Sequence, residues 1–514
     1  MRPASVDISV DKRGDAWRVA LVLTLALTLA RLVALFLTPL ELYPDEAQYW
    51  LWSRDLAFGY YSKPPMLAWL IGLTTAIGGD GEAWVRLSSP LLHAGTGLIL
   101  FEVGRRLHGP RVGLWSAVFY ALMPGVQLSA GVASTDAPLL FFAALGLLAY
   151  VAFLAGPSMR LAAACGLAVG AAFLSKYAAL YILLGVGLHL IWSPQARTCW
   201  TWGRALGAVA GLALVAAPNL VWNALNDFST VSHTADNANW RWDDLFHPVE
   251  MIEFLASQLM VLGPVPFVLL ILGAFAALRA RASTPEADRL LLSLAVPPVL
   301  LVTVQALLSR ANANWAVIAY APAVVLVAAW LLRDHRPRLL WGAIAFQALV
   351  AVMVLVLAIW PPLADRIGLG GAFKRVRGWE TSAHRILDAA EAQGPRTVVA
   401  ADDRFLFNSL AYYGRDRLAG DDAPILRMWV REASANNQAE ATSPLTPELG
   451  DRVLLASTEV RFRHEFVADF ASFSGWRDVS VRLDPSRTRD VAVGLGRGFA
   501  PRPRDPVTGL PTPP

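Results

Sequence analysis

Five short segments gather carboxylates, lysines and a histidine in a chain otherwise poor in charge, and any chemistry is to be sought there. The first reads Leu42-Tyr43-Pro44-Asp45-Glu46-Ala47-Gln48-Tyr49-Trp50 and continues at Gly59-Tyr60-Tyr61-Ser62-Lys63-Pro64-Pro65. A carboxylate here can serve as general base towards an acceptor hydroxyl; equally, Asp45 and Glu46 are first-turn acids complementing the dipole of a helix opened by Pro44. Lys63, fixed before two prolines, is either a snorkelling interface lysine or a cation for a lipid phosphate. In Ser134-Thr135-Asp136-Ala137-Pro138, Asp136 is an N-cap or a second acid of the same site. Lys176, in Ser175-Lys176-Tyr177, has the two readings of Lys63. Between Asn223 and Glu250, His233 reads as a hydrogen-bonded loop histidine before it reads as a metal ligand, because no His or Cys stands at ligand spacing from it. Arg310-Ala311-Asn312-Ala313-Asn314-Trp315 completes the set.

The elements that must position these residues are membrane helices. A chain of 514 residues that is 55% hydrophobic and 16% charged, with 19 Trp, is neither an ordinary soluble protein nor a disordered one. Two cysteines, Cys165 and Cys199, predict no structural disulfide, and a net charge of +4 spread along the chain does not suit nucleic acid. Eleven apolar runs, at roughly 17–38, 83–104, 112–130, 137–155, 160–175, 178–192, 205–222, 252–278, 290–308, 314–332 and 339–360, predict about eleven spans. Met66 to Ile77 is too short and reads as an interfacial or re-entrant helix. Arg2, Lys12, Arg13 and Arg18 place the N-terminus in the cytoplasm, and Arg105, Arg106, Arg111, Arg333, Arg336 and Arg338 then fall on the same side. The five segments all fall outside. That asymmetry favours chemistry on the outer face over a transport path, which would place ionisable groups near mid-bilayer; Arg31 is the main such residue.

Beyond Trp360 the composition turns water-soluble. Thr397 to Ala401 and Val453 to Ser457 read as strands and Arg404 to Tyr413 as a helix, predicting a small extracytoplasmic α/β domain over 361–500 behind a membrane domain over 1–360. The proline-rich tail 501–514 is expected to be disordered.

The ordered set Asp45-Glu46-Ala47, Tyr60-Tyr61-Ser62-Lys63-Pro64-Pro65, Ser134-Thr135-Asp136-Ala137-Pro138 and Leu174-Ser175-Lys176-Tyr177 resembles glycosyltransferase family 39, of GT-C fold. That family includes dolichyl-phosphate-mannose protein mannosyltransferases, bacterial aminoarabinose transferases of lipid A and rhizobial core galacturonic acid transferases. The resemblance covers roughly residues 15 to 335 and implies an all-α polytopic membrane enzyme with the small α/β domain appended. It implies catalytic roles for Asp45, Glu46 and Asp136, and substrate binding by Tyr60, Tyr61, Lys63, Lys176, Tyr177, His233 and Asn314. The donor it implies is a polyprenyl-phosphate sugar. The acceptor is a cell-envelope lipid or glycan on the periplasmic side of the bacterial inner membrane. A protein O-mannosyltransferase is the alternative within the fold, and a lipid or solute transporter the rival class. Ser62 stands where the aminoarabinose transferases carry a glutamate that shares a metal site with an outer-loop histidine. No cofactor is certain, a divalent metal stays open as the lesser alternative, and metal independence or at most a weak metal effect is expected. Gln48 stands where that subgroup carries arginine, so its phosphorylated acceptor does not carry over.

Overall fold

The computed structural model describes residues 13–241, 243–505 and 508–512. Arg2, Lys12, Pro506, Pro513 and Pro514 lie outside the described residues. All eleven apolar runs become helical. Among the described residues six helices are, by length and composition, long and apolar enough to cross a membrane: Gly14–Leu37, Asp136–Ala155, Trp202–Leu225, Glu286–Leu308, Ala313–Arg333 and Pro337–Ile359. The run at 252–278 is two helices, Pro248–Val261 and Pro264–Arg279, bent by 118°, and counts as a seventh span only if the pair is taken as one.

The cause of that bend is local. Gly263 adopts φ +105°, open to glycine at little cost, and Pro264 starts the next helix where its missing N–H is not needed. The freed Leu262 carbonyl accepts a hydrogen bond from the buried Gln347 side chain at 2.9 Å, as non-helical backbone at membrane depth requires. The run at 112–130 likewise breaks at Met123 before Pro124, giving Pro110–Leu122 and Pro124–Ser129. Met66–Gly78 is a 13-residue helix, the short element its sequence indicates.

Polar side chains sort the connecting loops into two opposite ends. At one end Asp288 accepts hydrogen bonds from Arg333 at 2.9 Å and Trp330 at 2.9 Å, lies 3.8 Å from His108, and its neighbour Glu286 takes the Ser193 hydroxyl at 2.6 Å. At the other end Thr230 donates to the Tyr60 carbonyl at 2.7 Å and Asn219 to the Phe58 carbonyl at 2.7 Å, which ties the first polar loop to the chain near 219–236.

Between 361 and 500 a mixed sheet forms in the order Ile425–Met428, Val398–Ala401, Val453–Ser457, Ala492–Phe499, Phe470–Phe473. Its first three strands are parallel and the fourth antiparallel. Alternation places Val399 and Ala401 against helices Trp379–Glu391 and Arg404–Tyr413, and Val398 and Ala400 against Trp429, Phe466 and Phe499. Both faces are covered, which is why these strands are apolar throughout. Among the described residues of 501–514, contacts run back to the sheet region. Arg502 and Arg504 both reach the buried Asp469 carboxylate, at 2.9 and 3.1 Å, and Ala433 donates to the Gly509 carbonyl at 2.9 Å.

Helix Arg404–Tyr413 lies directly on the first-loop helix Pro44–Trp52. Tyr412 packs edge-on against Trp50 with centroids 4.9 Å apart and donates to the Asp80 carbonyl at 2.6 Å. The Tyr413 hydroxyl bonds Glu82 at 2.5 Å and accepts from Leu42 N–H at 2.6 Å. This arrangement predicts the outcome of thiol labelling in a background lacking Cys165 and Cys199. The exposed positions in Asp55→Cys and Asp421→Cys should react from one side of sealed vesicles with a membrane-impermeant maleimide, and Arg336→Cys from the other. Labelling of all three from one side would break the assignment of ends.

Candidate active site

The candidate site gathers residues from well-separated stretches of chain around the first-loop helix. Pro44 begins that helix, and Glu46 turns back to accept the Tyr43 N–H at 2.8 Å. Glu46 is buried and spends its remaining capacity on the Arg86 guanidinium, at 2.9 and 2.8 Å, and on Ala133 N–H at 2.7 Å. Arg86 in turn donates to the carbonyls of Leu40 and Glu41. Four donors fill the four lone-pair positions of the carboxylate. Glu46, for which a catalytic role is expected, is in this arrangement held by four donors and anchors the helix start.

Asp45 is the neighbouring residue on the helix, about 100° away around its axis, and faces the opposite surroundings. It pairs with Arg404 at 3.1 Å, and the same Arg404 nitrogen donates to the Gln48 side chain at 2.9 Å. Arg404 is the first residue of its helix, following strand Val398–Ala401, and the Asp403 carboxylate caps that helix by accepting from Phe405 N–H at 2.8 Å. The C-terminal sheet region thus places a cation beside Asp45 and Gln48 of the first-loop helix. Nothing in the sequence singled Arg404 out.

Asp136 opens the helix Asp136–Ala155, but the N-cap is Thr135. One Asp136 oxygen takes Lys176 at 2.7 Å and the other takes Asn314 at 2.6 Å. Lys176 reaches it because helix Met159–Ser175 stops there and Lys176 adopts extended backbone. Three expected site residues, scattered over the sequence, thus meet.

Lys63 lies at the end of the tight return Tyr60-Tyr61-Ser62-Lys63, where Tyr60 N–H donates to the Lys63 carbonyl at 3.2 Å. Its ammonium has no hydrogen bond or ion pair among the described residues. Burial, then the nearby Lys176 ammonium, push its pKa down to about 8, against the opposing pull of Asp45 and Asp136. His233 is pushed down to about 4, by burial first and then by Lys63 and Arg404, so its ring is neutral at pH 7. It lies edge-on to Tyr61 at 6.0 Å. Burial raises the Tyr49 phenol, with Asp45 next among the causes, and Asp136 adds to it.

Two tyrosines expected to bind substrate have other duties. Tyr60 is buried, stacks on Trp52 with centroids 4.7 Å apart and donates to the carbonyls of Trp52 and Asp55. Tyr177 donates to Asn219 at 3.0 Å and accepts from Asn223 at 3.1 Å. Tyr61 fastens the loop to the soluble domain, its hydroxyl donating to the Ala435 carbonyl at 2.6 Å. Arg31 donates from one terminal nitrogen to the Ala121 carbonyl and Gln127, while its buried Nε has no hydrogen-bond partner among the described residues. Among the described residues no group of three or more His, Cys, Asp and Glu could hold a metal ion, and Ser62 is a buried hydroxyl. The residues present do not fit a metal of the aminoarabinose-transferase kind.

Two acids with partners and a lysine without one among the described residues thus lie together beside apolar helices. Residues 62–222 match the family described as dolichyl-phosphate-mannose-protein mannosyltransferase. The lipid A galacturonosyltransferase RgtD of Rhizobium johnstonii is 37% identical over 401 residues, 78% of this chain and 83% of that one. The undecaprenyl phosphate-α-4-amino-4-deoxy-L-arabinose arabinosyl transferase of Pseudomonas aeruginosa is 30% identical over 194 residues, 34% of this chain and 35% of that one. ArnT from Cupriavidus metallidurans, solved bound to undecaprenyl phosphate, superposes with a TM-score of 0.61 at 17% identity, covering 92% of this chain and 97% of that one. The chain belongs to this family of GT-C-fold membrane glycosyltransferases, and it is a glycosyltransferase.

Two consequences are measurable. Glu46→Gln leaves Arg86 buried without its counter-charge, a loss of about 3–5 kcal/mol. Its thermal unfolding temperature should therefore drop well below that of Asp45→Asn, and adding Arg86→Gln should recover part of the loss. The second concerns pH. A phosphate bound at Lys63 holds the ammonium charged, whereas the free protein releases that proton above about pH 8. Affinity for undecaprenyl phosphate should accordingly weaken about tenfold between pH 7 and pH 9, and should be flat over that range in Lys63→Met. Equal slopes in the two proteins would remove Lys63 from the phosphate site.

Proposed function

We propose that this chain transfers a single sugar from a polyprenyl-phosphate carrier to a lipid of the cell envelope, on the periplasmic side of the inner membrane, with the soluble domain also outside. The observation that carries this reading is the juxtaposition of the unpaired Lys63 with Asp45 and Asp136. A lipid phosphate at headgroup depth meets the one cation of the site without a partner, and a carboxylate stands ready for the acceptor. Asp45 takes the acceptor hydroxyl proton, the oxygen attacks the anomeric carbon, and the bond from that carbon to the phosphate oxygen breaks with its electron pair going to the phosphate. Lys63 stabilises the charge gathering there. One displacement inverts the anomeric configuration. Asp136, with Lys176 and Asn314, holds the wall of the site opposite the first-loop helix. The extent of likeness to the galacturonosyltransferase, over most of both chains, supports a uronic acid as the sugar and lipid A as the acceptor, ahead of a protein acceptor.

The test is transfer by purified protein in nanodiscs. A polyprenyl-phosphate sugar should be consumed and a nucleotide sugar should not. Asp45→Asn should lower turnover by at least about 100-fold while inserting and unfolding like the wild type. Turnover from a nucleotide sugar alone, or an unimpaired Asp45→Asn, would overturn the reading.

A further inference from the structure

The remaining edge of Arg404 is built to receive something the protein does not supply. Both of its hydrogen bonds, to Asp45 at 3.1 Å and Gln48 at 2.9 Å, come from one terminal nitrogen, Nη1. The Nε and Nη2 edge makes none among the described residues, and the side chain is about one-third exposed, at 35%. The guanidinium is held rather than loose. It lies over the Phe405 ring with 4.5 Å between carbon and centroid, and its partner Gln48 is buried and also bonded by Asn408 at 3.3 Å. A planar two-donor edge fixed in this way matches a carboxylate or phosphate bidentately, which a lysine does not.

We propose that this edge of Arg404 binds an oxyanion of the substrate, the carboxylate of a transferred uronic acid, so that the soluble domain selects the sugar. The inference rests on the glycosyl-transfer reading above and adds the group that distinguishes an acidic sugar from a neutral one. Position favours the sugar as the source. Arg404 lies near enough to Lys63 to be felt in its titration, and His233 senses both, so a phosphate at Lys63 and a carboxylate at Arg404 fit one small ligand. Charge favours it too. When Asp45 takes up the acceptor proton it no longer balances Arg404, and a carboxylate on the free edge keeps the guanidinium paired through the step.

The experiment uses the full chain in nanodiscs with two synthetic donors sharing one polyprenyl-phosphate tail, one bearing galacturonate and one galactose. Binding is measured at equilibrium and transfer as KM and kcat, onto lipid A with and without its phosphates. The wild type should bind and use the galacturonate donor better. Arg404→Gln should raise KM for that donor by about 10- to 100-fold, a loss at least tenfold larger than for galactose, and Arg404→Lys should fall between. Equal losses for both donors would make Arg404 a positioning residue for Asp45 only and overturn the proposal. A loss that appears only with the phosphorylated acceptor would assign the oxyanion to the acceptor, which also overturns it. Equal binding of the two donors by the wild type overturns it whatever the turnover. Transfer from neither donor, with the binding preference intact, would instead count against the glycosyl-transfer reading alone.

Discussion

The buried pair of Glu46 and Arg86 is the constraint on which the rest of the site depends. Two charges removed from water are tolerable only where their hydrogen-bonding groups are matched, and here Tyr43 and Ala133 complete the carboxylate while Leu40 and Glu41 bring the guanidinium to four bonds from its five N–H. The pair fixes a helix of nine residues, too short to be stable alone, in one rotation about its axis. That rotation sends Glu46 inward and leaves Asp45 facing the opposite way. Without the pair, an acidic dipeptide at a helix start would have no reason to present one member and hide the other.

Fixing the first-loop helix also creates the platform on which the soluble domain stands. Trp50 and Leu51 on that helix pack against the helix Arg404–Tyr413, and Asp80 and Glu82 take the hydroxyls of Tyr412 and Tyr413. The parallel strand Val398–Ala401 delivers the chain to this contact, and the Asp403 cap starts the helix there. Arg404 reaches Asp45 as a consequence of the docking. The change of composition near residue 360 therefore does not separate Arg404 from Asp45.

The expected site residues that meet in the structure, Asp45, Lys63, Asp136, Lys176 and Asn314, were legible because charge is scarce in this chain and each such residue needs a reason. Their pairings were not legible. Asp136 finds Lys176 and Asn314, and Asp45 finds Arg404, across sequence separations that no local spacing encodes. For the same reason Glu46 looked like its neighbour Asp45, and Arg404 was one of 44 basic residues. Tyr60 and Tyr177 carry motif positions, yet their hydroxyls are used to hold loops, and only the partners reveal that. Apolar runs showed where helices form but not where they break, since the bend after Val261 depends on a glycine at positive φ and on Gln347 far along the chain. Nor does the proline-rich stretch after Ala500 encode that Arg502 and Arg504 converge on the buried Asp469.

The distribution of pairing in the resting site also explains why a lipid phosphate suits it. Lys176 and Arg404 each have a carboxylate partner at rest, so the charge of each is already balanced before any ligand arrives. Lys63 has none, and its surroundings penalise the charge it carries, as its pKa near 8 expresses. An anion arriving there relieves a penalty and displaces no partner. A departing phosphate gains negative charge as the glycosidic bond lengthens, so the attraction to Lys63 grows along the reaction coordinate, and that is the condition for an interaction to speed a step instead of merely tightening binding. A cation already neutralised in the ground state would offer less of this difference. The unpaired lysine is the feature of the site that most directly ties its resting electrostatics to transfer from a phosphate carrier.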